Sequence, residues 1–166
     1  MSHVSPEVAL AITRQKARYA RYADTKQWDK WADLALPDAT MAYLLTDGKP
    51  LAMGPQLTVW DSSKASAAFF EKFFRSMESL HNIAPGDFEA VAPDEVKAIF
   101  GFEDQVLSAH LPWLLEIRGG GYYYETWKLV DGEWYIKELR MRRTYQKESL
   151  LVQVGVWVAK LLDISI

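Results

Sequence analysis

The stretch that decides the fold is GYYYETWKLVDGEWYIKELR, residues 121–140. Two runs rich in aromatic residues flank the dipeptide Asp131-Gly132, and an Asp-Gly pair between such runs is a strong signal for a two-residue β-hairpin. The pattern therefore predicts strands near residues 121–130 and 133–144 that pair in antiparallel order.

On the N-terminal side of this hairpin, the spacing of the apolar residues predicts further strands and, before them, helices. Ser5-Pro6 is a typical N-cap followed by a first helical residue, and Asp61-Ser62 is a suitable cap for a later helix. Helices followed by a run of antiparallel strands indicate an α+β domain, here a curved mixed or antiparallel sheet wrapped around a long helix. We predict helices from Pro6 to Ala23, from Trp28 to Ala35 and from Ser62 to Leu80, and strands near residues 40–45, 56–60, 81–91 and 95–107.

The composition limits the classes of function. The chain has 166 residues, 49% of them hydrophobic, which suits one domain with a substantial core. A net charge of −3 without a basic run argues against nucleic acid as a partner, and the lack of cysteine excludes disulfides and thiolate catalysis. The N-terminus has no signal-peptide pattern, so we expect a cytoplasmic protein. The 7 Trp, 8 Tyr and 7 Phe are suited to line a pocket for a flat or polycyclic ligand.

Asp24 lies where two predicted helices meet, in RYARYADTKQWDKW, residues 18–31. One interpretation is a capping box, because Gln27 follows Asp24 by three residues. The other interpretation is that Asp24 takes part in catalysis together with His81. A carboxylate bound to one nitrogen of His81 would fix the imidazole tautomer, and a neutral imidazole in an aromatic cavity is a competent general base near neutral pH. His81 itself, at the start of a predicted strand, could instead be structural.

Strand alternation places two further carboxylates on apolar faces. In KAIFGFEDQVL, Asp104 shares its parity with Phe102, which predicts a buried carboxylate unless a bulge returns it to solvent. In YYYETWKLV, Glu125 shares a face with Tyr123 and Trp127, although the opposite face is also aromatic. A buried carboxylate needs a partner, so both are candidate site residues.

The remaining features predict neither a metal site nor a nucleotide site. The triple glycine at residues 119–121 leads into a strand, which indicates a turn rather than a phosphate-binding loop. The three histidines lack the spacing of a zinc site. Arg140 or Arg142 could point into a cavity, although such a strand end is more typical of a solvated edge. The apolar tail, residues 149–166, is too short and too charged to predict a membrane span, so we expect it to cover a pocket or form an oligomer contact.

These motifs, in this order, resemble the SnoaL-like members of the nuclear transport factor 2-like superfamily over residues 7–145. Members include scytalone dehydratase, bile-acid 7α-dehydratase, polyketide cyclases and fungal isomerases of meroterpenoid and alkaloid pathways. RYARYADTKQWDKW is similar to the segment where the dehydratases place an active-site Tyr and, five residues on, an Asp, here Tyr19 and Asp24. LHNIAP resembles the strand start that carries the family's catalytic histidine, here His81. Bile-acid dehydratase-like members have an Asp in the next strand, which matches Asp104.

The resemblance implies a cone-shaped barrel over residues 1–148, with 149–166 as an extension, that binds a small molecule and uses no cofactor and no metal. It implies an isomerase or dehydratase of secondary metabolism, acting on a polyketide- or terpenoid-like substrate by His/Asp acid–base catalysis, in a homodimer or trimer. A cyclase without water loss and a non-catalytic binding module stay open, and the absence of a second strand histidine argues against scytalone as substrate. The implied catalytic residues are His81, Asp24, Tyr19 and Asp104. The implied substrate-binding residues are Glu125, Phe102, Tyr123 and Trp127. Some of these lie in the hairpin that also contains Trp134 and is similar to the closing hairpin of the family.

Overall fold

The computed structural model describes residues 4–53 and 56–153. The helices are α1 (Pro6–Asp24), α2 (Trp28–Ala32) and α3 (Ser63–Phe73), the last followed by a 3₁₀ turn at Phe74–Ser76. The strands are β1 (Ala35–Leu44), β2 (Ala52–Met53), β3 (Gln56–Leu57), β4 (Val59–Trp60), β5 (Met77–Ala92), β6 (Glu95–Ser108), β7 (Glu116–Val130) and β8 (Glu133–Glu148).

Six of these strands form one curved sheet in the order β4-β1-β8-β7-β6-β5. Strands β5 to β8 pair in antiparallel order, whereas β1 runs parallel to β8, so the sheet is mixed. The sheet begins with β4 and ends with β5, and the cone is therefore unclosed. The predicted α+β fold with a curved mixed sheet is confirmed.

The hairpin between β7 and β8 is confirmed at the predicted turn. Asp131 and Gly132 have φ angles of 50° and 84°, and positive φ at both central residues is the geometry of a type I′ turn. Val130 pairs with Glu133 across the turn. This turn twists in the same sense as the strands it joins, so it fixes their register.

The third helix is shorter than predicted. We expected it to reach Leu80, but α3 ends at Phe73 and β5 begins at Met77, which pairs with Ser108 of β6. Pairing with β6 overrides the helical spacing of the apolar residues, because the extended segment gains the hydrogen bonds of a long antiparallel ladder. Leu80, expected on a buried helix face, lies on the outer face of β5 with 57% of its surface exposed.

The second helix also ends early, at Ala32 instead of Ala35. Ala35 starts β1 and pairs with Ile136 of β8, whose N–H donates a hydrogen bond to the Leu34 carbonyl oxygen at 3.0 Å. Strand β1 therefore begins five residues before the predicted strand at 40–45. The predicted strand at 56–60 is divided into β3 and β4.

Helix α1 packs across the concave side of the sheet, against β5 and β8. Its buried face includes Ile12, Tyr19 and Ala23, at the helical spacing that the sequence predicted. Ser5 caps this helix as expected, since its hydroxyl accepts a hydrogen bond from the N–H of Val8. Helix α1 thus covers one part of the concave face of the sheet, and aromatic residues of α2 and α3 border another part.

The described part of the tail begins at Ser149. Its hydroxyl donates to the Leu114 carbonyl oxygen at 2.6 Å, and its N–H donates to the Glu116 carbonyl oxygen at 2.9 Å. Residues 150–153 begin a helical turn. The rest of the predicted extension lies outside the described residues. No helix in the described part of the chain is long and apolar enough to cross a membrane.

Candidate active site

Asp24 is the last residue of α1, and its carboxylate contacts β5. Oδ1 lies 2.6 Å from Nδ1 of His81 and accepts a hydrogen bond from the Ser79 hydroxyl at 2.8 Å, while Oδ2 accepts from the backbone N–H of His81 at 3.0 Å. The interpretation of Asp24 as a helix cap is wrong. Helix α2 begins at Trp28, its N-cap residue is Gln27, and that residue makes no capping side-chain hydrogen bond.

The surroundings of this Asp24–His81 dyad determine its protonation. Burial raises the pKa of Asp24, but the hydrogen bonds and charge of His81, together with the Ser79 hydroxyl, outweigh burial and hold the pKa below its ordinary value. An ionised carboxylate only accepts hydrogen bonds, so Nδ1 donates and Nε2 of the neutral ring carries the free lone pair. The side chains of His81 and Asp24 are 10% and 14% exposed. The dyad is therefore largely shielded from solvent.

Aromatic rings form a continuous wall beside the dyad. The Phe74 ring lies with its centroid 6.4 Å from that of the imidazole. Phe102 contacts Tyr123 with ring centroids 4.6 Å apart, and Tyr123 meets Tyr19 edge to face at 5.7 Å. Trp127 is fully buried further along β7. The structure thus brings three of the predicted site residues together, because Tyr123 contacts both Phe102 and Tyr19.

Asp104 lies directly opposite His81 in the ladder between β5 and β6. Paired residues of antiparallel strands point to the same face, so both side chains are on the concave side. The predicted burial of Asp104 is confirmed, since its side chain is 5% exposed, and the bulge interpretation is wrong. Both of its oxygens accept hydrogen bonds from Arg143, Oδ1 from Nη1 at 2.9 Å and Oδ2 from Nη2 at 2.6 Å. A carboxylate in such a bidentate pair is an acceptor rather than a proton donor.

Arg143 is a candidate site residue that was not predicted from the sequence. We named Arg140 or Arg142 as candidates to point into the cavity, but both are exposed on the outer face of the sheet. The signal was present in the strand alternation, because Arg143 shares its parity with Leu139 and Met141, and both of these are buried.

The triple glycine makes room for the Arg143–Asp104 pair. Residues 119–121 are part of β7 and not a turn, so that prediction is wrong. Gly119 lies opposite Asp104 in the ladder between β6 and β7. A Cβ atom at Gly119 would collide with the guanidinium of Arg143 and come within 3.0 Å of the Tyr145 carbonyl oxygen. The absence of a side chain at this position therefore lets the guanidinium cross β7 to the carboxylate.

Tyr19 has a hydroxyl partner, Tyr43 of β1, with the two oxygens 2.8 Å apart. Both residues are buried. Burial raises the pKa of each phenol, so both hydroxyls remain neutral and able to donate a hydrogen bond. Tyr43 was not identified from the sequence, although its alternation with Met41 in β1 indicates the buried face.

Glu125, expected to orient a substrate, is bound by other residues of the chain. Its Oε1 lies 2.5 Å from Nζ of Lys16 on α1, and its Oε2 accepts a hydrogen bond from Nε1 of Trp127 at 3.0 Å. Neither the Lys16 nor the Glu125 side chain exposes any surface. Burial lowers the pKa of Lys16 to about 8 and raises that of Glu125, and the attraction between the two opposes both shifts. Lys16 is a second residue that the sequence analysis missed.

Comparison with known proteins identifies the family of the chain. Residues 7–140 match the family model described as SnoaL-like domain. The chain is 40% identical to the probable cyclase FGR4 of Gibberella zeae over 144 residues. The aligned region covers 87% of this chain and 96% of that protein.

Solved structures of other proteins have a similar fold. The hexachlorocyclohexane dehydrochlorinase LinA type 2 superposes with a TM-score of 0.67 at 16% identity, over 84% of this chain and 86% of that one. The β subunit of benzoate 1,2-dioxygenase from Burkholderia mallei superposes with a TM-score of 0.64 at 15% identity, over 86% and 93%. At such identities the likeness concerns the fold alone. The family model and the 40% identical relative show more: the chain belongs to the SnoaL-like family.

Proposed function

We propose that the chain is a cofactor-independent enzyme, an isomerase or a dehydratase, that acts on a polycyclic polyketide- or terpenoid-like molecule of secondary metabolism. The observation that carries this proposal is the Asp24–His81 dyad, with 2.6 Å between carboxylate and imidazole, beside a wall of aromatic rings. An imidazole whose tautomer is fixed in this way is a general base suited to neutral pH. The predicted cytoplasmic location is kept as part of the proposal.

His81 starts the reaction through Nε2. This nitrogen takes a proton from a carbon next to a carbonyl, and the electron pair of the broken C–H bond moves to the carbonyl oxygen as an enolate. Asp24 stabilises the imidazolium that forms. In a dehydration, the imidazolium returns the proton to a β-hydroxyl, which leaves as water while the enolate electrons form the new double bond. In an isomerisation, the proton returns to another carbon.

The tyrosine pair and the Arg143–Asp104 pair support the charge that develops on the substrate. One hydroxyl of the Tyr19–Tyr43 pair donates to the other, and the remaining O–H is a neutral donor beside the aromatic wall, which suits it to bind an enolate oxygen. Arg143 supplies a positive charge on the same concave side as the dyad, held by Asp104, the residue that pairs with His81 in the ladder between β5 and β6. Because the guanidinium occupies both oxygens of Asp104, we assign this carboxylate to holding Arg143 in place, and not to the catalytic role that the family resemblance implied.

A cyclase is the second candidate, and the 40% identical relative named a probable cyclase favours it. The same base would remove a proton and the resulting nucleophilic carbon or oxygen would close a ring at constant mass. The residues and their roles up to the enolate are shared with the isomerase, so the products separate the two.

The test begins with untargeted mass spectrometry, which compares the metabolites of the producing organism with and without this gene. The compound that accumulates in the deletion strain is then incubated with the purified protein. Loss of one water establishes a dehydratase, and a changed retention time at constant mass establishes an isomerase or a cyclase, which the structure of the product distinguishes. Retention of the compound by the protein without conversion would refute the enzyme proposal and leave a binding module.

We also propose that the chain forms a homodimer through the outer face of strands β5 to β8. That face carries a groove of about 480 Å³ with Asp87 and Glu89 at its β5 side and Arg140 and Arg142 at its β8 side. A two-fold axis parallel to the strands would place β5 of one copy over β8 of the other. Asp87 is level with Arg140 across the sheet, so Asp87 of each copy would meet Arg140 of the other. Tyr124 lies between the two charged sides and is 44% exposed.

Charge reversal tests this dimer by sedimentation. Arg140→Glu gives one variant, and Asp87→Lys gives the other. Each alone is expected to be monomeric, because both contacts become repulsive, whereas an equimolar mixture is expected to form a heterodimer with both contacts restored. A monomeric natural chain, or a dimer that is indifferent to both reversals, would rule out this interface.

A further inference from the structure

The Lys16–Glu125 pair is fully buried, and core stability alone does not account for it. Neither side chain exposes any surface, and burial shifts both pKa values toward the neutral forms. Taking two charges out of water costs as much as their attraction returns or more, so apolar residues of similar volume are often at least as stabilising in a core. The arrangement around the ammonium points to another role for it.

The ammonium of Lys16 lies between two tyrosine rings of the candidate active site. Nζ is 3.3 Å from the ring centroid of Tyr123 and 4.0 Å from that of Tyr19. A cation over the face of an aromatic ring is attracted by the ring quadrupole, and the attraction is larger when the cation is desolvated. The two rings meet each other edge to face, at an interplanar angle of 73°. One ammonium therefore restrains two rings in a fixed mutual orientation.

Glu125 and Trp127 hold the ammonium in this place. The 2.5 Å contact to Oε1 of Glu125 fixes Nζ, and the hydrogen bond from the Trp127 indole to Oε2 fixes the carboxylate. Trp127 is 0% exposed, so this end of the chain of contacts is anchored in the core. The Trp127 indole thus positions the Glu125 carboxylate, the carboxylate positions the Lys16 ammonium, and the ammonium positions the two rings.

We propose that Lys16 is a positioning residue of the active site. It holds the rings of Tyr19 and Tyr123, and through the Tyr19 ring it sets the direction of the hydroxyl that pairs with Tyr43. This inference rests on the proposed function, in which one hydroxyl of the Tyr19–Tyr43 pair binds the substrate oxygen. Glu125 acts through Lys16 and does not touch the substrate.

Two variants separate positioning from stability. Lys16→Met leaves Glu125 buried without a counter-ion, and we expect it to lower the melting temperature. Lys16→Met with Glu125→Gln removes both charges and retains an oxygen that accepts from the Trp127 indole, so we expect a melting temperature close to that of the natural chain. The compound identified by the metabolite comparison serves as the substrate for both proteins. The kcat of the double variant should be about 10- to 100-fold lower than that of the natural chain, as for a misplaced catalytic group, while KM changes by less than about threefold. An unchanged kcat in the double variant would overturn the proposal.

A second readout needs no substrate. The protein is labelled with 3-fluorotyrosine, and the fluorine resonances are assigned by single Tyr→Phe changes. In the double variant we expect the resonances of Tyr19 and Tyr123 to shift or broaden, whereas those of the exposed Tyr124 and Tyr145 stay in place. Unmoved Tyr19 and Tyr123 resonances would overturn the positioning role even if turnover fell. If the natural chain converts no compound, the proposed function fails by itself, and the fluorine spectrum still decides whether Lys16 orients the rings.

Discussion

Replacement of Asp24 by Asn is expected to reverse the tautomer of His81 and remove the base. The amide has one accepting and one donating end, whereas the carboxylate accepts at both oxygens. At the Oδ2 position an NH₂ group would face the backbone N–H of His81 at 3.0 Å, and that donor cannot reverse. At the Oδ1 position it would face Nδ1 and the Ser79 hydroxyl, and both of these can turn from donor to acceptor. The second orientation is therefore preferred.

In that orientation Nδ1 accepts a hydrogen bond and the imidazole proton moves to Nε2. The nitrogen that faces the substrate then has no free lone pair in the neutral ring. Leaving two buried donors face to face in the other orientation costs about 1–3 kcal/mol, so the amide does not escape by flipping. We expect Asp24→Asn to lower turnover by about 10²- to 10⁴-fold, the range for loss of a general base or of its correct tautomer. His81→Ala should lose about 10²-fold or more with the fold retained.

Two measurements check this reasoning. Steady-state turnover of the identified compound gives the rate, and long-range ¹H–¹⁵N spectra of histidine-labelled protein show which nitrogen of His81 carries the proton. Ser79→Ala is the matched control, because it removes one hydrogen bond to Asp24 but leaves the carboxylate and the tautomer, and it should cost about tenfold or less. An Asn variant with natural turnover, or one that still carries the imidazole proton on Nδ1, would refute the argument.

Three further predictions concern the pairs and the tail. Arg143→Met should lower the free energy of unfolding by about 3–5 kcal/mol in urea titrations, because it leaves Asp104 buried without its partner; a loss below about 1 kcal/mol would contradict the bidentate pair. The folded pKa of Asp24 lies below its ordinary value of 3.8, so its stabilisation is present above that value and is lost as the pH falls through the folded pKa. Asp24→Asn should therefore flatten the decline of stability in acid, and parallel curves for both proteins would count against the lowered pKa. Removal of residues 150–166 keeps the Ser149 anchor and should abolish turnover with an unchanged sedimentation mass if the tail covers the cavity, whereas a smaller mass would assign it to the oligomer contact.

The parts of the fold that the sequence predicted are those fixed by local chemistry. The hairpin depends on Asp131 and Gly132, whose positive φ angles suit those residues, and α1 begins where Ser5 and Pro6 indicate. The end of α3 was predicted too late because it depends on a distant strand. Met77 becomes extended through pairing with Ser108, and no local pattern near residue 77 contains that information.

The candidate site likewise has a part that the local sequence predicts and a part that depends on the tertiary fold. Strand parity was sufficient to place Asp104 on the concave face, and the same rule applied from Leu139 would have found Arg143. The contact between Asp24 and His81 joins a helix end to a strand across 57 residues, so only the tertiary fold makes it visible. Without it, the local sequence equally favoured a capping box that the structure does not form.

Lys16 was missed for a different reason. It follows Ile12 by four residues and precedes Tyr19 by three, so it shares the buried face of α1, but its charge led to its omission from that face. A lysine on a buried helix face requires an acidic partner inside the protein. Glu125, a carboxylate on an apolar strand face, was the available one, and the two anomalies together would have predicted the ion pair.

Three carboxylates on the concave side of the cone, Asp24, Asp104 and Glu125, each have a basic partner, and only one pair is suited to exchange a proton with a substrate. The pair of Arg143 and Asp104 is fixed by two hydrogen bonds from the guanidinium to the two carboxylate oxygens. The pair of Lys16 and Glu125 is titratable, but neither side chain exposes any surface. The dyad contains an imidazole, which can both accept and return a proton, and this ring is 10% exposed. In the proposed mechanism, proton transfer is therefore assigned to His81, and the other two pairs hold the surrounding groups in place for it.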